Sequence, residues 1–281
     1  MSVRLGDAVV EQRYHVAGRG PVCVAHPGGP GIGWEYLRVP HLERSLTMVY
    51  IEPVGTGASG RLDDPQDYTI ATYGHFLHQV IGHLGLDTVA LLGHSHGGFV
   101  AQRYALDHPG HLSGLVLYDT SPVTGEDFWA AAVAGMQDFT RLHVREHPEV
   151  AAFADALTTR PEVEDDEEAT AILRTIAPAY FHDYYGREAD FAPGRAALRM
   201  YAAPAWGQEP AFDVRGDLPG LSVPTLVVAG ADDFICGPRW ARMIHERVPA
   251  AELCILQRTG HLGHIEHPGE FAALVADFLT D

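Results

Sequence analysis

The sequence contains no lysine and no asparagine among its 281 residues, and only three cysteines. Without lysine there is no phosphate-loop lysine, no Schiff-base nucleophile and no pyridoxal phosphate chemistry. Without asparagine there is no N-glycosylation sequon. Cys23, Cys236 and Cys254 are odd in number and form neither a CxxC pair nor a zinc-binding spacing, so they read as buried reduced thiols rather than a disulfide framework. Positive charge is also scarce. Nineteen arginines stand against 37 acidic residues, a formal net charge of −18. Such a surface repels phosphate backbones and anionic lipid, so no nucleic-acid or membrane-surface partner is expected. No apolar run approaches the ~18 residues needed to cross a bilayer, and Met1–Asp7 carries no apolar signal core. A soluble, cytoplasmic protein is the expectation.

What is abundant is histidine, 17 residues in all, and glycine, 30. Apolar runs at Val22–Ala25, Leu46–Ile51, Thr88–Leu92, Leu115–Tyr118, Thr225–Ala229 and Leu253–Leu256 each end in a cluster of Gly, His or Asp. Continuous rather than alternating apolar runs fit strands buried on both faces of a parallel sheet. Amphipathic stretches at Tyr73–Leu84, Phe99–His108, Arg239–Val248 and Phe271–Leu279 read as the intervening helices. The alternation predicts an α/β fold with a mostly parallel sheet flanked by helices. In such sheets ligands bind beyond the carboxyl ends of the strands, where these clusters lie. The pattern breaks between about Ser121 and Leu221, a stretch rich in Ala, Glu and aromatic residues that reads as inserted helices. Its acidic run, residues 162–168, reads as a solvated loop or helix start.

Gly93-His94-Ser95-His96-Gly97 matches G-x-S-x-G and lies between an expected strand and an expected helix. A side chain carried on so sharp a turn needs small neighbours, which the glycines provide. A serine nucleophile needs a base, and the base needs an orienting acid. In the order Ser, Asp, His, the chain offers Ser95, then Asp233 three residues after Gly230, then His261 after the last strand-like run. Asp232 and Asp119 are alternative acids, and His264 and His267 weaker bases. The glycine-rich turn Pro27–Gly31 exposes backbone N–H groups at the same sheet edge, where one of them with the N–H of His96 would make an oxyanion hole. Gly55–Ser59 lacks dinucleotide spacing and reads as a turn beside the pocket. His94-Ser95-His96 lacks the Asp-His pair that would complete a zinc motif, there is no H-E-x-x-H, and His261, His264 and His267 have no spaced Cys or acidic partner. No metal and no cofactor are expected.

The Gly28–Gly31 loop, Gly-x-Gly-x-Ser at 55–59, the Ser95 elbow, Gly-x-x-Asp at 230–233 and Gly260-His261 together resemble the α/β-hydrolase superfamily. The resemblance implies an eight-stranded sheet with a helical cap, the core at 1–121 and 216–281 and the cap at 122–215. Gly28-Gly29-Pro30-Gly31 is similar to the proline iminopeptidase subgroup, where the residue matching Gly29 donates to the oxyanion. The chain departs from that subgroup in having His96 where Trp is usual, and Glu52-Pro53-Val54-Gly55 where Asp-Gln-Arg-Gly is usual. The expected activity is cofactor-free serine hydrolysis of an ester, lactone, thioester or amide of a small molecule through an acyl-enzyme. Trp34, Tyr36, Phe128, Trp129, Tyr180 and Tyr184 are candidate pocket residues. The alternatives are a proline iminopeptidase, a biosynthetic tailoring enzyme or cyclase using the same triad, and a non-catalytic ligand-binding member of the fold.

Overall fold

Short apolar segments bounded by glycine open the chain. Strand β1 (Ser2–Leu5) turns through Gly6, at φ 57°, into β2 (Ala8–Glu11), and the two pair antiparallel from Ser2 opposite Glu11 to Leu5 opposite Ala8. The computed structural model describes residues 1–158, 163, 165–205 and 211–280. Its main sheet comprises β3 (Arg13–Gly18), β4 (Val22–His26), β5 (Thr47–Glu52), β6 (Val89–His94), β7 (Leu112–Tyr118), β8 (Thr225–Gly230) and β9 (Glu252–Leu256). The spatial order is β3-β5-β4-β6-β7-β8-β9, with β3 antiparallel to β5 and every other pair parallel.

The main sheet therefore has seven strands, not eight. The first hairpin stands apart as a two-stranded sheet, with the Arg4 carbonyl meeting the His75 ring and the Glu11 carbonyl accepting from the Gly60 amide. Central strands β6 and β8 are buried at every residue, as the apolar runs require. Edge strand β3 is half-exposed throughout.

Helices α1 (Ile70–Leu84) and α2 (His96–Asp107) follow β5 and β6. The side chain of Thr69 caps α1 by accepting from the Thr72 amide at 3.2 Å, and Gly85, at φ 67°, ends it. Between β7 and β8 come α3 (Glu126–His143), α4 (Phe153–Thr158), α5 (Asp166–Ile176), α6 (Glu188–Ala197) and α7 (Ala202–Ala205). Then α8 (Pro238–His245) separates β8 from β9, and α9 (Gly263–Glu266) and α10 (Pro268–Thr280) close the described chain. Of the acidic run, Asp165 caps α5 by accepting from the Glu167 amide at 2.6 Å, and Asp166, Glu167 and Glu168 fill its first turn, where the helix dipole favours negative charge. Glu162 and Glu164 lie outside the described residues. Among the described residues no helix is long and apolar enough to cross a membrane.

Loss of an N-cap hydroxyl leaves an orphan amide. Thr69→Ala should therefore lower the unfolding free energy by about 1 kcal/mol in urea titration. An unchanged midpoint would mean that the cap contributes nothing.

Candidate active site

A sharp strand-to-helix turn carries Ser95. It joins β6 to α2 with φ 55° and ψ −121°, a conformation unfavourable for a residue with a side chain. The neighbours leave it no alternative. The Ser95 amide donates to the Tyr118 carbonyl at 3.0 Å, and the Ser95 carbonyl accepts from the Gly98 amide at 2.9 Å and the Thr120 hydroxyl at 2.8 Å. A Cβ at Gly97 would lie 2.3 Å from the His26 carbonyl oxygen, and one at Gly93 would lie 2.4 Å from that of Gly97. Only glycine lets α2 start this close to β4 and β6.

Two strands away, the loop after β8 supplies Asp233 and the loop after β9 supplies His261. Nδ1 of His261 lies 2.7 Å from Oδ2 of Asp233. The other oxygen, Oδ1, accepts from the amides of Ile235 at 2.9 Å and Cys236 at 3.1 Å. Both side chains are buried. Of the three candidate acids, Asp232 turns outward instead, with Oδ2 2.9 Å from Nδ1 of His182. Asp119 is buried and accepts at Oδ1 from the Gly230 amide at 2.8 Å, while its Oδ2 has no partner. Burial, and then the charge of Asp233, push the Asp119 carboxyl well above the usual carboxylate range.

Buried histidines surround this pair. His94 Nε2 is 3.0 Å from the His261 carbonyl, which can only accept, so that nitrogen bears the hydrogen. Its Nδ1 then accepts from the Tyr36 hydroxyl at 2.7 Å, and the same hydroxyl takes the Gly28 amide at 2.7 Å. By the same logic His264 donates from Nε2 to the Tyr36 carbonyl at 2.9 Å and accepts at Nδ1 from the Tyr118 hydroxyl at 3.1 Å. Burial holds all of these rings neutral: His94 sits well below the ordinary histidine value, His264 falls to about 4 and His26 to about 3. Ligand atoms of His94, Asp119 and His261 do fall within 4.8 Å of one another. Both nitrogens of His94 and Nδ1 of His261 are already hydrogen-bonded to protein groups, so this trio is a poor cation site. His264 pins strand ends, and His267 sits apart from the pair, its Nε2 3.1 Å from the Arg258 carbonyl.

A cavity of about 270 Å³ opens over Ser95 and His261. Gly29 and His96 border it, as do Tyr36, Phe128, Trp129 and Tyr180 among the expected pocket residues. Trp34 and Tyr184 do not, a correction to the sequence reading. The Trp34 ring stacks on His15 at 4.1 Å, and Tyr184 packs into a buried cluster with Phe181 at 5.5 Å. Gly55–Ser59 is also absent from the lining. It wraps the Glu52 carboxylate, whose Oε1 takes the Ser59 amide at 2.8 Å. The sequence reading missed Cys236, which lines the cavity beside Ser95 with its thiol pushed well up by burial. It also missed Ile172, Leu173 and Ile176, whose spacing on α5 was the available signal.

Comparison with known proteins places this geometry in context. Residues 21–268 match the family model described as alpha/beta hydrolase fold. A proline iminopeptidase from Lactobacillus acidophilus is 24% identical over 96% of this chain and 94% of its own length. A 2-hydroxymuconate semialdehyde hydrolase from a Pseudomonas species (strain CF600) is 27% identical over 98% and 92%. The crystal structure of an esterase from Rhodococcus sp. ECU1013 superposes with a TM-score of 0.75 at 20% identity, covering 100% of this chain and 98% of the other.

The buried histidines tie folding to pH. Their folded-state pKa values lie below the unfolded value of ~6.5, so the unfolded chain binds more protons at acid pH. Stability is fully present above that value and is lost as pH falls through ~6.5 towards 4, with a slope of about 1.4 kcal/mol per pH unit for each such histidine. His264→Gln should make the acid limb of urea-unfolding curves shallower. An unaltered slope would show that His264 is not held neutral.

Proposed function

Because the chain belongs to the alpha/beta hydrolase fold family, we propose that it is a serine hydrolase acting without a cofactor on an ester, lactone, thioester or amide of a small molecule. The observation that carries this reading is the buried His261–Asp233 pair at 2.7 Å, with His261 and Ser95 in the wall of one cavity. Ser95 Oγ attacks the carbonyl carbon while Nε2 of His261 takes its proton. Asp233, acting through Nδ1, fixes the tautomer and stabilises the imidazolium that forms. The backbone N–H groups of Gly29 and His96 receive the developing oxyanion, that of His96 backed by the α2 N-terminus. His261 returns the proton to the leaving group, and a water activated by the same ring then releases the acyl group from Ser95. In this reading residues 122–215, which carry α3 to α7, form a cap on the core at 1–121 and 216–281. The relatives named proline iminopeptidases make an N-terminal prolyl amide the competing substrate.

The test combines labelling with variants. A fluorophosphonate probe should place its adduct on the peptide containing Ser95. Asp233→Asn should lower turnover by orders of magnitude, on the order of 10⁴-fold when a triad acid leaves the histidine in the wrong tautomer. Asp232→Asn and Asp119→Asn should have far smaller effects, since one carboxyl faces His182 and the other accepts from the Gly230 amide. An adduct on another residue, or an Asp119→Asn variant as inactive as Asp233→Asn, would overturn the assignment.

A further inference from the structure

Resting on the serine-hydrolase reading, we infer that the cavity selects an uncharged, apolar acyl group and rejects substrates that carry a free amine beside the scissile carbonyl. The observation is what the walls are made of. They include the aromatic rings Phe128 and Phe212, each in contact with Phe99, and the aliphatic side chains Ile172, Leu173 and Ile176. Among the described lining residues there is no Asp, Glu or Arg. The polar groups that do line it are neutral or engaged. His94 is fixed as a neutral ring, burial pushes the Tyr36 and Tyr180 phenols and the Cys236 thiol upward, and His261 is held by Asp233.

Three described carboxylates lie near His261, and each already accepts from the protein. Asp233 spends one oxygen on His261 and the other on two amides. Glu266 is buried, and its two oxygens accept from the amides of Gly260 at 2.6 Å and His182 at 3.0 Å. Asp119 is buried and accepts from the Gly230 amide at 2.8 Å. Three charged side chains on α5 and α6, none of them in the lining, are engaged elsewhere. Asp166 takes the Ala202 amide and the guanidinium of Arg61. Arg174 and Arg195 donate to the carbonyls of Leu198 and Arg174, both at 2.7–3.1 Å. An ammonium group placed against these walls loses its water and gains no counter-charge, which is strongly unfavourable. An alkyl group of the same shape gains from every methylene it buries. The cavity measures about 270 Å³, at the lower end for small-molecule sites.

N-terminal proline carries such an amine in a five-membered ring, and cyclopentane carries the same ring without it. Phenyl prolinate and phenyl cyclopentanecarboxylate therefore form a matched pair differing by one charged group. At pH 7 the whole protein should show a kcat/KM for the cyclopentane ester roughly 100-fold above that for the prolinate, after subtraction of spontaneous hydrolysis. Fluorophosphonate labelling of the same preparation separates the two levels of the argument. If Ser95 is labelled but the prolinate is cleaved equally well or better, the inference is overturned and the nucleophile stands. Labelled Ser95 with no turnover of the cyclopentane ester also overturns it. Absence of a label on Ser95 overturns the reading of the site on which it rests.

Discussion

The site depends on how closely the first turn of α2 can approach the ends of β4 and β6. Gly97 lies against the carbonyls of His26 and Pro27, and Gly93 lies against the carbonyl of Gly97. That contact leaves Ser95 the only corner between strand and helix, at φ 55°. The strain is tolerated because the residue is over-determined: its amide is held from β7, and its carbonyl by Gly98 and Thr120. Once Ser95 is fixed there, the loops after β8 and β9 bring Asp233 and His261 to the same end of the sheet, because parallel strands present their carboxyl ends together.

A chain of net charge −18 surrounds this point with an apolar cavity and neutral imidazoles. The buried histidines join strand ends through tyrosine hydroxyls and main-chain carbonyls, and their neutrality keeps them from competing with His261 for protons or for Asp233. Low local polarity strengthens the one charged contact that remains, between Asp233 and His261. It also raises the cost of a second carboxylate, which pushes the carboxyl of Asp119, one strand away, upward.

Much of this was legible in the sequence where burial is complete on both faces. Val89–His94 and Thr225–Gly230 are buried at every position, and the apolar runs Thr88–Leu92 and Thr225–Ala229 that mark them lead into the loops of Ser95 and Asp233. The first three strands were not legible, since their residues are largely exposed and leave no continuous run. Aromatic residues carry no direction in a sequence. Tyr36 and Trp34 are two positions apart, yet one reaches the cavity while the other stacks on His15. Neighbouring Asp232 and Asp233 are equally ambiguous, and they separate only when Oδ1 of Asp233 caps the amides of Ile235 and Cys236, which orients its other oxygen toward His261. The roles of His94 and His264 had no explanation until their tyrosine partners were in place.

The central claim is that Ser95 and His261 act as one unit. The most direct measurement is kcat/KM for Ser95→Ala, His261→Ala and the double variant against one activated ester. Groups that work as a unit lose their effect together, up to ~10⁶-fold for either alone. The expected result is a double variant no slower than the slower single one. Losses that multiply would contradict the account, because they would mean that the two side chains contribute to the reaction independently.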